Sequence, residues 1–156
     1  MRITELLHLD AVLPAVTARQ KNDVLVSAAA RLSSCYPEIA RDRLTEALVK
    51  RERLMSTALA NGVAVPHARL AGISRMVAAF GRSHAGIDWD APDGRPTRLF
   101  FLLVTPEGAN GVHLRLLAAV SRLLHDDGCR ARLMDAPDEM LLDVLRAEEA
   151  RGVRAA

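Results

Sequence analysis

The chain has 156 residues and a formal net charge of +2, and 50% of its residues are hydrophobic against 26% charged. That length and balance suit a single core, so we expect residues 1–156 to form one domain. Scattered basic residues with only 3% aromatics argue against nucleic-acid binding, and the most apolar run, 99–104, is too short to cross a bilayer. We therefore expect a cytoplasmic protein without membrane insertion.

The first part of the chain is predicted to be helical. Residues 22–35 place apolar side chains on one face, and Asn22 or Asp23 is suited to cap that helix. Pro37 suits the first turn of a second helix, and the segment 51–53 ends it, where cations are favoured by the helix dipole. The predicted inward residues of this second helix are Ala40, Leu44, Ala47 and Leu48.

The middle of the chain is predicted to form strands. Residues 63–65 are a short apolar run closed by Pro66, which has no N–H to donate to a sheet ladder. Residues 76–80 and 87–89 are two further strand candidates. The continuously apolar segment 99–104 has the pattern of a central strand buried on both faces.

Helices return after Gly108. Asn110 is suited to cap a long helix, a short helix is predicted to end near Met134, and Pro137 opens a last one. The predicted inner stripe of the long helix is Leu116, Leu117, Val120, Leu123 and Leu124. Because helices flank a block of strands, we predict an α/β fold with a small mixed sheet.

Two of the five histidines occupy positions suited to chemistry. His67 directly follows Pro66 and is predicted to stand at the carboxyl edge of a strand, where α/β sheets bind ligands. His113 falls in the first turn of the helix after the central strand, where free N–H groups favour an anion. The local pattern alone also fits ordinary loop and helix histidines. Zinc, hydrolase and nucleotide-binding motifs are absent, so histidine itself is the candidate nucleophile.

The seventeen residues 51–67, R-E-R-L-M-S-T-A-L-A-N-G-V-A-V-P-H, carry a resemblance to a known family. They resemble the phosphorylation motif of the fructose, mannitol and nitrogen-regulatory IIA domains of the bacterial phosphotransferase system, roughly R-E-x-x-G-S-T-G-(I/L)-x-x-G-(I/V)-A-(I/V)-P-H. The accepting histidine of that family corresponds to His67, and a second family histidine corresponds to His113. The likeness covers nearly the whole chain and is greatest to the stand-alone nitrogen-regulatory branch, because we expect no attached transport or IIB-type domain.

This resemblance implies a fold and a set of roles. The fold would be a mixed sheet with helices packed on both sides. His67 would be the nucleophile, His113 would orient it or donate a hydrogen bond, and Arg51 would balance phosphoryl charge. Ser56 and Thr57 would donate hydroxyl hydrogen bonds to the phosphoryl group. The donor would be a histidine phosphocarrier protein and the targets downstream regulatory proteins, with no metal or organic cofactor required.

Met55 and Ala58 stand where the family motif has glycine, and we expect Ala60, at a position that the motif as written leaves open, to be a further replacement of the same kind. If those positions need positive φ, each replacement costs about 1 kcal/mol or more. If they need close approach of a partner, the added side chains obstruct docking. These departures support an alternative function, a regulatory binding module that has lost phosphoryl exchange.

A protein donor must bring its own phosphohistidine to the acceptor, which has consequences for the surface. We expect an apolar patch with a basic rim around His67 rather than a deep pocket, and we expect His67 and His113 to lie side by side. The predicted apolar residues are Leu54, Met55, Ala58 and Leu59, and the predicted basic ones are Arg51, Arg53 and Arg69.

Overall fold

The computed structural model describes residues 1–155, so Ala156 lies outside the described residues. Over that range the strands are β1 (Leu7–Leu13), β2 (Val63–Ala64), β3 (His67–Leu70), β4 (Val77–Ile87) and β5 (Thr97–Pro106). The α-helices are α1 (Lys21–Cys35), α2 (Arg41–Leu54), α3 (Asn110–His125), α4 (Asp127–Asp135) and α5 (Leu141–Ala155). Short 3-10 turns precede β1 and α5.

The strands form one mixed sheet, as predicted. β1 pairs in parallel with β4, and β4 pairs antiparallel with β5. The other side of β5 is covered by β2 and then β3, both parallel to it. β2 aligns with Leu99 and Phe100, and β3 aligns with the segment 103–106, so the two behave as one edge strand with an interruption at 65–66.

Side-chain alternation along β5 divides the core into two layers. Phe100, Leu102 and Val104 pack in a cluster with residues of α1 and α2. The intervening side chains pack with α3, α4 and α5 on the opposite face, and they are Leu99, Phe101 and Leu103. All six are at most 1% exposed, and each buried side chain of this size contributes about 2 kcal/mol of hydrophobic stabilisation. Helices therefore pack on both sides of the sheet, and the prediction of a central strand buried on both faces is confirmed.

Two helix starts differ from the prediction. Neither α1 nor α3 has a side-chain cap, so the capping roles predicted for Asn22 or Asp23 and for Asn110 were wrong. Gln20 forms an isolated parallel bridge with Asp88, which holds the residue before α1 extended. The start of α1 is therefore set by a contact with a residue far along the chain.

Pro37 precedes α2 instead of lying in its first turn. The chain turns there because the N–H of Ile39 donates to the carbonyl of Tyr36 at 3.0 Å. Ile39 supplies the buried apolar side chain, while Ala40 is exposed, contrary to the prediction. Along the rest of α2 the inward residues are Leu44 and Leu48, with Ala47 half-buried.

The two strands predicted at 76–80 and 87–89 are largely one long strand, β4. Arg82 interrupts the apolar pattern of the sequence, yet its side chain is buried. Its guanidinium donates to the carbonyls of Leu133 and Ala136 at 2.8 and 2.6 Å, which compensates for removing the charge from water. The polar residues within β4 therefore explain why the sequence pattern predicted two short strands in place of one long strand.

The C-terminal helices follow the prediction closely. α4 ends at Asp135, one residue beyond the predicted end, and the side chain of Asp126 caps it by accepting from the N–H of Cys129 at 2.7 Å. α5 begins at Leu141, after a 3-10 turn, and not at Pro137. Across residues 1–155, none of the helices has both the length and the apolar character needed to cross a bilayer.

Candidate functional site

His67 opens β3 at the edge of the sheet, opposite Leu103 of β5. The prediction placed it after the end of a strand, and this was wrong because the strand resumes at His67. Pro66 has no N–H, but its carbonyl still accepts from the N–H of Leu103 at 3.0 Å, so the ladder is interrupted only briefly. The imidazole packs against that of His113, with ring centroids 5.2 Å apart and ring planes at 62°. The expected proximity of the two histidines is confirmed.

The two ring nitrogens of His67 have different partners. Nδ1 lies 2.9 Å from the carbonyl oxygen of Val65, and because a carbonyl only accepts, Nδ1 carries the proton. Nε2 then carries the lone pair of the ring, and it accepts a hydrogen bond from Nε of Arg51 at 3.2 Å. The side chain that the sequence predicted as nucleophile therefore presents Nε2 as its nucleophilic atom.

The protonation state of His67 also suits a nucleophile. Burial of the half-exposed ring lowers its pKa below the ordinary value of 6.5, against the opposing effect of the Val65 hydrogen bond. The positive charges of Arg51 and Arg69 lower the pKa further. The imidazole is therefore predominantly neutral near neutral pH.

Arg51 lies in the last turn of α2 and joins two parts of the site. Besides the contact with His67, its Nη1 donates to the carbonyl of Met55 at 2.8 Å. The planar guanidinium is held by two hydrogen bonds beside the nucleophilic nitrogen. A phosphoryl group attached there would meet a fixed positive charge, which is the chemistry that arginine provides for such groups.

His113 is buried in the first turn of α3. It is 2% exposed, and its Nδ1 lies 2.7 Å from the hydroxyl oxygen of Thr105, at the end of β5. Burial lowers its pKa to about 4, and the neighbouring His67, Arg69 and Arg51 add to the effect. His113 is therefore a neutral hydrogen-bonding group.

This depressed pKa predicts how stability depends on pH. Because the folded state resists protonating His113, its contribution is fully present above the ordinary pKa of 6.5, is lost as the pH falls, and stops changing below about 4. Acidification from about pH 7 to about pH 5 is expected to lower the free energy of unfolding by about 2 kcal/mol through this group. Urea unfolding of the wild type and His113→Asn at both pH values measures it. The exposed His125 provides the control, because His125→Asn should retain the dependence. An unchanged dependence in His113→Asn would contradict the assignment.

The hydroxyl groups of Ser56 and Thr57 have partners within the protein. Thr57 donates its hydroxyl to Glu52 at 2.6 Å and accepts from Nε1 of Trp89 at 3.2 Å. Ser56 donates to the carbonyl of Trp89 at 2.6 Å and accepts from the N–H of Ala58 at 3.2 Å. Both protons are used to shape the loop after α2. Donation from either hydroxyl to a phosphoryl group stays a prediction, and it requires rotation of the side chain.

Glu52 is the part of the site that the sequence reasoning missed. Although it follows Arg51 in the last turn of α2, it is only 3% exposed. The available signal was its spacing, because Glu52 lies four residues after Leu48, which itself lies four residues after Leu44. A carboxylate that continues an inward stripe must have partners inside the protein.

The replaced glycines cause no backbone strain. Met55 has φ −168°, which is extended backbone. Within residues 1–155, the non-glycine residues with positive φ are Asn61 and Asp90, so Ala58 and Ala60 have ordinary backbone. Any effect of the replacements must therefore come from the side chains, foremost from Met55, which is 73% exposed.

An apolar surface surrounds His67, and we call it the His67 patch. Its exposed members are Met55 and Leu59, which line a groove together with His67. Leu54 and Leu114 are also exposed and adjoin Met55 and His113 in the sequence, and their membership of the patch stays a prediction. An open groove of about 500 Å³ runs between the 55–59 loop and α3 and includes His67. Ala58, predicted as a member of the patch, lines the groove but is only 4% exposed, so it adds little to the surface. The basic side chains Arg53 and Arg69 are exposed. In the part of the chain that is described, no three His, Cys, Asp or Glu side chains cluster to hold a metal ion.

Comparison with known proteins identifies the family. The family model "Phosphoenolpyruvate-dependent sugar phosphotransferase system, EIIA 2" matches residues 5–146, so the chain belongs to this family. A nitrogen regulatory protein of Bradyrhizobium diazoefficiens is 37% identical over 138 residues, covering 88% of this chain and 90% of that protein. The fructose-specific EIIABC component of the phosphotransferase system of Bacillus subtilis is 33% identical over 150 residues. That match covers 96% of this chain but only 24% of the longer protein.

Solved structures show the same fold. The crystal structure of the nitrogen regulatory protein IIA-Ntr from Neisseria meningitidis has a TM-score of 0.84 at 32% identity, covering 92% of this chain and 98% of that one. The mannitol IIA of Escherichia coli has a TM-score of 0.73 at 19% identity, covering 88% and 97%, and it supports the fold alone. Both the predicted fold class and the resemblance to the IIA family are confirmed.

Proposed function

We propose that this protein is a phosphoryl carrier of a phosphoenolpyruvate-dependent phosphotransferase system, which accepts a phosphoryl group on Nε2 of His67 from a histidine phosphocarrier protein. The observation that carries the proposal is the hydrogen bond of 3.2 Å between Nε of Arg51 and Nε2 of His67. Together with the Nδ1 hydrogen bond to Val65, it supports Nε2 as the accepting atom and Arg51 as the cation beside it. The open His67 patch supports a protein as the donor, because a second protein must reach that atom.

The transfer follows from these positions. As the donor docks, the hydrogen bond from Arg51 to Nε2 is released and the guanidinium turns to a phosphoryl oxygen. The lone pair of Nε2 then attacks phosphorus in line, the new N–P bond forms, and the N–P bond of the donor breaks with its electron pair returning to the donor imidazole. The Nδ1 proton of His67 stays in place, since it donates to Val65. Such a transfer depends on positioning and on charge stabilisation. Arg51 supplies the positive charge, and His113, oriented by Thr105, donates to a phosphoryl oxygen.

A regulatory, nitrogen-related role is favoured over sugar transport. Among the proteins described above that are more than 30% identical to this chain, the two whose length it nearly spans are nitrogen regulatory proteins. In this role the carrier acts in the cytoplasm, and downstream regulatory proteins distinguish its phosphorylated from its unphosphorylated form. The phosphoryl group then serves as a signal as well as cargo.

The direct test is to incubate the wild type with phosphoenolpyruvate, the enzyme that phosphorylates the phosphocarrier, and the phosphocarrier itself. The expected product carries one acid-labile phosphoryl group, which maps to His67. Omitting the phosphocarrier should prevent labelling. A protein that never acquires a phosphoryl group under these conditions would instead be the regulatory binding module that has lost exchange.

Placing glycine at positions 55, 58 and 60 tests that alternative further. The triple variant Met55→Gly, Ala58→Gly, Ala60→Gly is expected to remain phosphorylatable on His67 and to accept the group faster, because the long side chain of Met55 is removed from the His67 patch. The initial labelling rates of variant and wild type are compared at equal donor concentration. Equal rates would show that the replacements are neutral, whereas labelling of the variant alone would show that the natural chain has lost exchange. Since the backbone is unstrained, we expect no gain in stability from the reversion.

A further inference from the structure

Glu52 is a buried carboxylate, and both of its oxygens bind Thr57. Oε1 accepts from the backbone N–H of Thr57 at 2.9 Å, and Oε2 accepts from the hydroxyl of Thr57 at 2.6 Å. Lys21 lies 3.5 Å from Oε1 and also reaches Asp90 at 3.0 Å. A carboxylate that is 3% exposed is stable only with such partners. Glu52 therefore holds Thr57 at a defined place beside the end of α2.

Thr57 is in turn a junction, because each of its polar groups is used. Its N–H and hydroxyl bind Glu52, its hydroxyl oxygen accepts from Trp89, and its carbonyl accepts from the N–H of Val65 at 3.0 Å. The first three contacts are made with Glu52 of α2 and with Trp89 of the core. The last is made with Val65, two residues before His67. The position of Thr57 is thus transmitted to the reactive residue.

One connection runs from Thr57 to Nδ1 of His67. Val65 donates its N–H to Thr57 and accepts the Nδ1 proton of His67 at its carbonyl, at 2.9 Å. A histidine tautomer is set by the hydrogen bond that one of its nitrogens makes. Whatever holds Val65 in place therefore keeps the proton on Nδ1 and the lone pair on Nε2.

A second connection runs to Nε2. Arg51 is oriented by the carbonyl of Met55, which accepts from Nη1 at 2.8 Å. Met55 lies in the short segment between Glu52 and Thr57, so the bonds between these two residues restrict where its carbonyl points. Arg51 then donates from Nε to His67. Both nitrogens of His67 thus depend on one buried pair.

We propose that Glu52 and Thr57 are positioning residues, which keep His67 in the reactive tautomer and keep Arg51 against Nε2; this inference rests on the proposed function. In this role neither residue needs to touch the phosphoryl group, because both act through the partners of His67. The carboxylate keeps the loop after α2 closed around the site, and the loop holds the partners of both ring nitrogens. Thr57 acts in this way through its hydroxyl and backbone, and its methyl group is dispensable.

A pair of substitutions at Thr57 separates hydrogen bonding from packing. Thr57→Val keeps the volume but removes the hydroxyl, whereas Thr57→Ser keeps the hydroxyl but removes the methyl group. We expect the initial rate of labelling from the phosphocarrier to fall about tenfold or more in Thr57→Val, in line with the cost of misplacing a reacting group. Thr57→Ser should remain close to the wild type. A slow Thr57→Ser together with a normal Thr57→Val would overturn the proposal, because packing would then be what matters.

The tautomer of His67 supplies a readout that a merely structural role does not move. Nitrogen NMR of the unphosphorylated proteins should show the proton on Nδ1 in the wild type and in Thr57→Ser. A mixture of tautomers is expected in Thr57→Val. Glu52→Gln is the second variant, because its amide N–H₂ must face one of the two donors of Thr57. It should give the same mixture of His67 tautomers and the same slow labelling as Thr57→Val. Wild-type tautomer and rate in every variant that folds would refute the positioning role.

Glu148 provides the matched control. It is also a buried carboxylate, 4% exposed, but it pairs with Arg132 on the α4 and α5 side of the sheet. Glu148→Gln is expected to lower stability while leaving the labelling rate and the tautomer of His67 unchanged. A comparable loss of labelling there would show that general destabilisation explains the effect. A wild type that never labels would instead contradict the proposed function, and the tautomer measurements would still test the pair.

Discussion

Replacing His67 with alanine is expected to abolish phosphoryl acceptance completely, because the other imidazole of the site is buried. His113 is adjacent, but its ring is 2% exposed and its Nδ1 is engaged by Thr105. Its pKa of about 4 also makes it a weaker base than His67. The measurement is acid-labile labelling of His67→Ala by the complete donor system.

Two further variants make the result interpretable. His125→Ala removes an exposed histidine at the far end of α3 and should label as the wild type does. His113→Ala should still label on His67, but more slowly, since the predicted hydrogen bond to the phosphoryl oxygen is lost. Label that persists in His67→Ala and maps to His113 would show that the nucleophile has been assigned to the wrong residue.

Replacing Arg51 with alanine is expected to slow phosphoryl acceptance by about 100-fold, the cost of removing one preorganised electrostatic partner of a transition state. The guanidinium both contacts Nε2 of His67 and is held by the carbonyl of Met55. Arg51→Lys keeps the charge but not the planar two-point contact, so an intermediate rate is expected. Initial rates at saturating phosphocarrier measure the effect.

The pH of that experiment matters, because Arg51 also lowers the pKa of His67. Its removal raises the pKa, so a larger fraction of His67 is protonated and unreactive in weak acid. At about pH 8 the imidazole is neutral in both proteins, and the remaining difference reports charge stabilisation. Arg43→Ala, an exposed arginine in the first turn of α2, is the control and should leave the rate unchanged. An Arg51→Ala protein that labels at the wild-type rate at that pH would contradict the proposed role.

The loop after α2 carries no backbone strain at the positions where the family motif has glycine. Met55 and Ala58 stand where the family motif has glycine, and both have ordinary backbone conformations. The positive φ of the segment falls on Asn61 and Gly62, at 67° and 77°. The resemblance therefore suggested a possible strain that the backbone does not contain. What differs from the family motif is the chemistry of the exposed surface.

Local patterns were sufficient for much of the fold. The spacing of apolar side chains indicated α1 and α3, and their predicted starts lie within one residue of the observed ones, because residues three and four apart share a helical face. The predicted end of α4 is one residue short of the observed one. The apolar run at 99–104 located β5, since only a strand covered on both faces is apolar at every position. The seventeen-residue motif pointed to His67 and Arg51, which the structure brings to a hydrogen bond.

Contacts between distant segments decided the rest. β1 has buried positions without regular alternation, and its place became evident only through its pairing with β4. The hydroxyl of Thr57 accepts from Trp89, which lies more than thirty residues along the chain and two residues after β4 ends. Such hydrogen bonds form because the folded chain excludes water from these polar groups and each must then find a partner in the protein. A local pattern predicts the residue that reacts, whereas the packing of remote segments decides which hydrogen-bond partners surround it.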